Sequence, residues 1–328
     1  MKKILSTVSL PDEVANRYKD NFILEYPKGG RFTPEELSEK LSEADGYLGG
    51  PLNKDMIDKA VKLQIASSFG AGYDAIDHKY AGAKGIWVMN APYATTEPTA
   101  ELTIALLLCL SRRLLNSYML MKSRGAVGGI SPFADQFDSA PPPTPVHGKT
   151  IGVIGFGKIG KAVARKAKGL GMDVIYYDIY RTPETLEKEL GVKYVSFDEL
   201  LKTVDYVTLH CMYTPENHHM MGEAQFKMMK PTAYFINAAR GKLMDEQALI
   251  NALKTNAIRG AALDVYEYEP KVSAELFEME NVFLTPHVGT STRESRINMA
   301  IEALDGIAAH LNGGESPTIV NREFYIAK

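Results

Sequence analysis

Three side chains in the C-terminal part of this 328-residue chain are of types that together could hold an anion and move a proton. Arg240 stands in NAARG, Glu269 in YEYEP and His287 in TPHVG, each just past a short apolar run of strand character (AYFINAA, RGAALDVY and VFLTP). Arginine presents a rigid fork that binds carboxylate and carbonyl oxygens and polarises the latter. Imidazole titrates near neutrality, which suits it to give a proton to an oxygen on which charge develops. A carboxylate beside the imidazole favours the imidazolium form and keeps that donor charged. Ligands of open α/β sheets bind beyond the carboxyl ends of the strands, so reactive groups after three successive strands are expected to converge.

The stretch GVIGFGKIG (152–160) indicates what else would be present. Gly155, Gly157 and Gly160 have the G-x-G-x-x-G spacing, between the strand-like TIGVIG and the helix-like KIGKAVARKAKGLG (158–171). The motif alone is weak, but this strand-to-helix context is the one a dinucleotide site requires. Gly155 would allow the sharp turn, Gly157 the approach of backbone to a pyrophosphate, and Gly160 close helix–strand packing. The next strand, DVIYYD, ends at Asp178, where a carboxylate would accept hydrogen bonds from the adenosine ribose and repel a 2′-phosphate. NAD(H) is therefore expected in preference to NADP(H), although nearby Arg181 leaves NADP open. The expected cofactor-binding set is Gly155, Phe156, Gly157, Lys158, Ile159, Gly160, Asp178 and Ala238.

These groups need elements to position them. Apolar runs at 3–8, 22–26, 45–49, 63–68 and 86–90 alternate with helix-like stretches such as 33–44 and 53–61. A second series of strand-like runs covers 150–155, 173–178, 205–211, 233–238, 259–266 and 282–285. Such alternation predicts two α/β units with parallel strands and crossover helices. The run 97–120 is apolar around much of its circumference and reads as one helix packed between domains or subunits, which motivates a homodimer. Residues 125–149, rich in Gly and Pro, read as a linker. The amphipathic segment 291–314 has no strand left to cross and is expected to return to the first domain. The expected domains are 1–99 with 289–328, and 100–288.

Composition narrows the partners. A formal net charge of −3 without a basic stripe speaks against nucleic acid. The most apolar window, LTIALLLCL (102–110), falls far short of the roughly 20 residues of a membrane span. The opening MKKILSTVSLPDEV is interrupted by polar residues and reads as a first strand rather than a leader, and Cys109 and Cys211 lack partner spacing, so a cytoplasmic location is expected. His218 and His219 are adjacent in a loop-like segment with poor metal-ligand spacing; they read as surface residues, and no metal is expected. His78, His147, His210 and His310 have no evident partner, and Cys211 reads as a buried strand cysteine rather than a nucleophile.

The chain resembles the D-isomer-specific 2-hydroxyacid dehydrogenase family over nearly its whole length. The resemblance rests on SSFGAGYDAID (67–77), TAELTIALLL (99–108), GKTIGVIGFGKIG (148–160), INAARGKLMDEQAL (236–249), AALDVYEYEP (261–270) and TPHVGTST (285–292). It implies a Rossmann NAD-binding domain with a discontinuous flavodoxin-like α/β substrate domain, and reduction of a 2-keto acid (glyoxylate, hydroxypyruvate or similar) to a D-2-hydroxy acid. It also implies that Arg240, Glu269 and His287 are catalytic. The residue reading of Asp264 is a strand-end acid making structural bonds, whereas the resemblance implies a bond to the nicotinamide carboxamide. Gly70, Ala71 and Gly72 form a loop whose N–H groups are expected to bind a substrate carboxylate, and the resemblance implies that it faces the nicotinamide; a plain strand-to-helix turn is the lesser alternative. The linker lacks the tryptophans many members carry, and Met212 and Tyr213 replace proline or small apolar residues, so pocket shape stays open. Formate and phosphite dehydrogenases and NADH-responsive corepressors are the alternatives of related architecture; Glu269, where formate enzymes carry glutamine, argues against the first.

Overall fold

The computed structural model describes residues 1–124 and 142–327 and divides into two compact units, Met1–Pro98 with Thr290–Lys328, and Thr99–Gly289. Unit 1 holds five parallel strands: β1 (Lys2–Ser6), β2 (Phe22–Glu25), β3 (Gly46–Leu48), β4 (Ile65–Ser67) and β5 (Trp87–Met89), in the order β2-β1-β3-β4-β5. Unit 2 holds seven: β6 (Thr150–Ile154), β7 (Asp173–Tyr177), β8 (Val192–Tyr194), β9 (Tyr206–Leu209), β10 (Tyr234–Asn237), β11 (Gly260–Leu263) and β12 (Val282–Leu284). These are also parallel, in the order β12-β11-β10-β9-β6-β7-β8. The first order is that of flavodoxin-like sheets; the second, counted from β6, is the Rossmann order with one strand added. The protein is α/β.

Strand residues alternate between two apolar layers, which is why the strands read as continuous hydrophobic runs. In unit 2, Ile151, Val153, Tyr206, Ile236 and Ala262 join one layer, while Ile154, Val207, Leu209, Phe235 and Leu263 join the other. In unit 1, Ile4, Leu48, Ile65 and Met89 are set against Leu5, Tyr47, Ala66 and Val88 in the same way. Each such fully buried aliphatic or aromatic side chain contributes about 1.5–3 kcal/mol by burial. Helix starts follow local signals: Thr33 forms a capping box with Glu36, and Asp245 and Thr292 accept from the backbone of Ala248 and Ser295. The helix Arg293–Leu311 belongs to unit 1, where Ala300, Ala303, Leu304 and Ile307 pack with Ile4, Leu48 and Ile65.

Two features depart from the sequence pattern. The three-residue β8 at the sheet edge is too short to show a period. The run 97–120, expected as one helix, is two: Tyr93–Ser111 and Leu114–Arg124. Arg113 adopts a φ of 50°, and this left-handed turn ends the first helix. The first helix buries Ala100, Leu106, Leu107 and Leu110 against the seven-stranded sheet. On the second, Leu114, Leu115, Tyr118, Met119 and Met121 are 45–57% exposed. Of the expected linker, residues 125–141 lie outside the described residues.

Candidate active site

Strands β10, β11 and β12 are neighbours and parallel, so their carboxyl ends open on one edge of the sheet. Asn237, the buried last residue of β10, accepts a hydrogen bond from Ala239 N at 3.0 Å and donates one to Arg240 O at 2.9 Å, which shapes the turn that delivers Arg240. Asp264 follows β11 and is 1% exposed. Its Oδ1 accepts from Thr285 Oγ1 at 2.6 Å and Val288 N at 2.8 Å, and its Oδ2 accepts from Gly289 N at 2.9 Å. One buried carboxylate thereby pins both sides of the loop in which His287 sits at a φ of 55°. Glu269 accepts from Tyr266 N at 2.9 Å through Oε1, leaving Oε2 to meet His287 Nδ1 at 2.9 Å.

The electrostatics follow from these contacts. The Glu269 hydrogen bond is the main cause that lifts the His287 pKa above its ordinary value, against burial and the positive charge of Arg240. Burial pushes the Glu269 carboxyl up, but the bonds from His287 and Tyr266 N and the charge of Arg240 outweigh it, so the carboxyl titrates below its usual range. The guanidinium acts on both partners, so Arg240, Glu269 and His287 form one electrostatic unit. With Nδ1 engaged by a carboxylate, Nε2 of His287 is the nitrogen left to exchange a proton with a ligand. An imidazolium beside a guanidinium is suited to protonating the oxygen of an anionic substrate.

The second part of the site lies where the winding of the sheet reverses, since β6 is flanked by β7 and β9. Gly155 follows β6 at a φ of 90°, and a Cβ there would lie 2.3 Å from Cys211 N; a Cβ on Gly160 would lie 2.2 Å from Gly155 O. Both positions exclude a side chain. A Cβ on Gly157, by contrast, meets nothing within 4 Å, and Gly157 caps the helix Lys158–Gly169 without a side-chain hydrogen bond. First-turn N–H groups with open space beside them are the donor set a pyrophosphate requires. Asp178 ties the end of β7 to this loop: its Oδ2 accepts from Phe156 N at 2.6 Å and its Oδ1 from Tyr180 N at 2.9 Å. The residues present thus fit a dinucleotide. The ring of Phe156 is buried and stacked 3.9 Å from Tyr176, and Ala238 is 9% exposed, so among the expected set these two offer backbone more than side chain.

Other candidates separate from this site. Residues 70–72 lie in unit 1 after β4, where Ser68 Oγ donates to Gly70 O at 2.9 Å and Asn90 Nδ2 to Ala71 O at 2.7 Å. His219 is not a plain surface residue: its Nε2 lies 2.7 Å from the buried Glu267 Oε1, and its ring stacks 3.8 Å from that of His218. Ligand atoms of His218, His219 and Glu267 fall within 4.8 Å of one another. The two rings lie 26° apart, and the arrangement is a hydrogen-bonded His219–Glu267 pair with His218 stacked on it. Desolvation pushes the His210 pKa down to about 3 and the Cys211 thiol up to about 12, so the two are not poised as a nucleophilic pair. Sequence reasoning passed over Asn237 and Thr285; their only signal is a polar residue at the end of an apolar strand.

Comparison with known proteins identifies the family. Residues 104–289 match the family model described as D-isomer specific 2-hydroxyacid dehydrogenase, NAD binding domain. A Staphylococcus epidermidis protein provisionally named a 2-hydroxyacid dehydrogenase is 41% identical over 325 residues, covering 98% of this chain and 100% of that protein. Among solved structures, Rhodotorula graminis D-mandelate dehydrogenase superposes with a TM-score of 0.85 at 29% identity, covering 99% of both chains. The NADPH-dependent glyoxylate/hydroxypyruvate reductase of Sinorhizobium meliloti does so with a TM-score of 0.82 at 28% identity, covering 100% of both. The chain, a family match over more than half its length with a full-length relative above two-fifths identity, belongs to the D-isomer specific 2-hydroxyacid dehydrogenases.

Proposed function

We propose that this protein reduces a small 2-keto acid, such as glyoxylate or hydroxypyruvate, to the D-2-hydroxy acid, with NADH preferred to NADPH. The observation that carries the reading is the 2.9 Å His287–Glu269 pair under the charge of Arg240, at the ends of three adjacent parallel strands. Bound NADH supplies the hydride. Arg240 holds the substrate through its carboxylate and carbonyl oxygens and polarises the carbonyl. His287 gives the proton to the developing alkoxide from Nε2, and Glu269 keeps the imidazole charged and aimed. In the oxidative direction the neutral imidazole accepts the hydroxyl proton.

Gly155, Gly157 and Gly160, with Phe156, Lys158 and Ile159, are assigned to the pyrophosphate. Asp178 takes the adenosine ribose, and Ala238 and Asp264 the nicotinamide end. Asp264 already accepts three hydrogen bonds from the 285–289 loop, and an ionised carboxylate has about four acceptor positions, so one remains for a carboxamide. Residues 100–288 would be the NAD-binding domain, and 1–99 with 289–328 the substrate domain, in which the backbone of Gly70, Ala71 and Gly72 helps hold the substrate carboxylate. The exposed apolar residues of Leu114–Arg124 support a homodimer, checked by mass in solution at micromolar concentration. Free Cys109 and Cys211 fit the reducing cytoplasm. Among the described residues no helix is long and apolar enough to cross a membrane. The test of the activity is the absorbance of NADH and NADPH followed with a panel of 2-keto acids. Turnover with small 2-keto acids and NADH is expected, and no turnover with any member would overturn the reading.

A further inference from the structure

The loop after β7 holds two groups of opposite sign that could each meet the adenosine 2′ position: Asp178, and Arg181 three residues later. A guanidinium free to move there would accept a 2′-phosphate and weaken any preference for NAD(H). The structure does not leave it free. Arg181 Nε donates to Glu187 Oε1 at 3.0 Å and Nη2 to Glu187 Oε2 at 2.9 Å, the parallel two-bond geometry in which arginine and carboxylate pair best. The guanidinium carbon also lies 5.5 Å from the centre of the Tyr194 ring on β8. Glu187 is itself only 7% exposed and is anchored to β7, since Tyr176 OH donates to the same Oε1 at 2.6 Å. That hydroxyl accepts in turn from Thr182 N at 3.0 Å, which ties the network back into the loop carrying Arg181. Glu187 sits in the first turn of the helix Glu184–Leu190, where the helix dipole favours a carboxylate.

Resting on the dinucleotide reading above, we propose that Glu187 is a specificity-positioning residue: it occupies Arg181 internally, so that the loop presents Asp178 alone to the adenosine ribose and 2′-phosphorylated dinucleotides are discriminated against. A 2′-phosphate that drew the half-exposed guanidinium toward the ribose would take it from a buried carboxylate, leaving that carboxylate with one hydroxyl partner in an apolar layer. Discrimination then has two independent parts: repulsion by Asp178, and withdrawal of the one cation of this loop.

The test is calorimetric binding of 2′,5′-ADP and 5′-AMP to the full chain, a readout that needs no turnover. In Glu187→Gln the affinity for 2′,5′-ADP relative to 5′-AMP should rise about tenfold or more, the size of one charge-assisted bond. The gain should be larger on an Asp178→Ser background and should vanish when Arg181→Gln is added. Tyr176→Phe, which keeps the ring in the core and removes only the hydroxyl, should shift the ratio in the same direction by less; it serves as the test if the Glu187→Gln variant folds poorly. A merely structural lesion would weaken both ligands together. An unchanged ratio in Glu187→Gln and Tyr176→Phe with 5′-AMP binding intact overturns the proposal. So does loss of 2′,5′-ADP affinity in Arg181→Gln alone, which would mean the guanidinium already reaches the phosphate. If the unsubstituted chain binds neither 5′-AMP nor NADH, the dinucleotide reading itself has failed, and this inference with it.

Discussion

Both sheets are parallel and doubly wound, and in both the loops at the carboxyl ends of the strands are the segments able to meet a ligand; the two sets of loops carry different chemistry. In unit 2 they bear Arg240, Asp264, Glu269 and His287: Glu269 hydrogen-bonds His287, the charges of Arg240 and Asp264 act on that imidazole, and Asp264 pins its loop. In unit 1 the corresponding loop after β4 is built of Gly70, Ala71 and Gly72, and the carbonyls of Gly70 and Ala71 are taken by Ser68, Asn90 and Ala91. With the carbonyl side engaged internally, the amide side of that loop is the one suited to a ligand, and amides recognise an anion without titrating. On the function proposed above, the same architecture would give proton exchange to one sheet and anion binding to the other. Substitutions on the two sheets should therefore fail in different ways.

The largest effect is expected from His287→Ala. It removes the proton donor, so kcat for keto-acid reduction should fall by about 10²–10⁴-fold while NADH titrated by fluorescence still binds. A kcat within a few fold of the unsubstituted enzyme would take His287 out of the mechanism and erase the contrast between the two sheets. Next comes a paired test in the glycine loop. Gly155→Ala sets a Cβ 2.3 Å from Cys211 N at a φ of 90°, so the midpoint of thermal unfolding should drop, by a cost of at least about 2 kcal/mol. Gly157→Ala places its Cβ in open space and should leave the midpoint nearly unchanged while weakening NADH. Equal loss of stability in both variants would show that the loop is only a turn.

Glu269→Gln sharpens the comparison through pH. Glu269 raises the pKa of His287, and reduction needs the imidazolium, so the rate should fall as pH rises through that raised value. Removing the carboxylate lowers it, moving the alkaline limb of the kcat/KM profile to lower pH; in the oxidative direction the ascending limb moves the same way. A limb that stays in place would mean that another group titrates. The smallest effect should come from unit 1. Asn90→Ala removes the 2.7 Å bond to Ala71 O, which should raise KM for the keto acid a few fold, about 1 kcal/mol, with kcat and its pH profile unchanged. A pH shift there would contradict the assignment of titrating chemistry to unit 2 alone.

Much of this was legible before any coordinates. The strands of both sheets were marked by apolar runs because helices on both faces demand apolar residues at every position, and β8 escaped notice only because three residues carry no period. Arg240, Glu269 and His287 could be picked out because each follows such a run. Not legible were the break at Arg113, set by one residue's left-handed φ, and the contacts that decide what each charged group does. Spacing alone makes Arg181 a candidate for a 2′-phosphate and His219 a surface residue; their bonds to Glu187 and Glu267 belong to the fold.

The segment YEYEP states the division most clearly. The amino-acid sequence by itself determined that two carboxylates, Glu267 and Glu269, follow β11 on an α/β scaffold of parallel strands, and that a histidine follows the next strand. The family motif pointed to Glu269, but the sequence did not show that the two carboxylates would be put to different uses. In the folded chain Glu267 turns inward, accepting from Glu246 N at 3.0 Å and meeting His219, while Glu269 turns outward to His287. The choice depends on partners 18 to 48 positions away along the chain, brought near by strand order and by a loop pinned on Asp264. Local pattern carries no information about such distances, so only tertiary structure could make it.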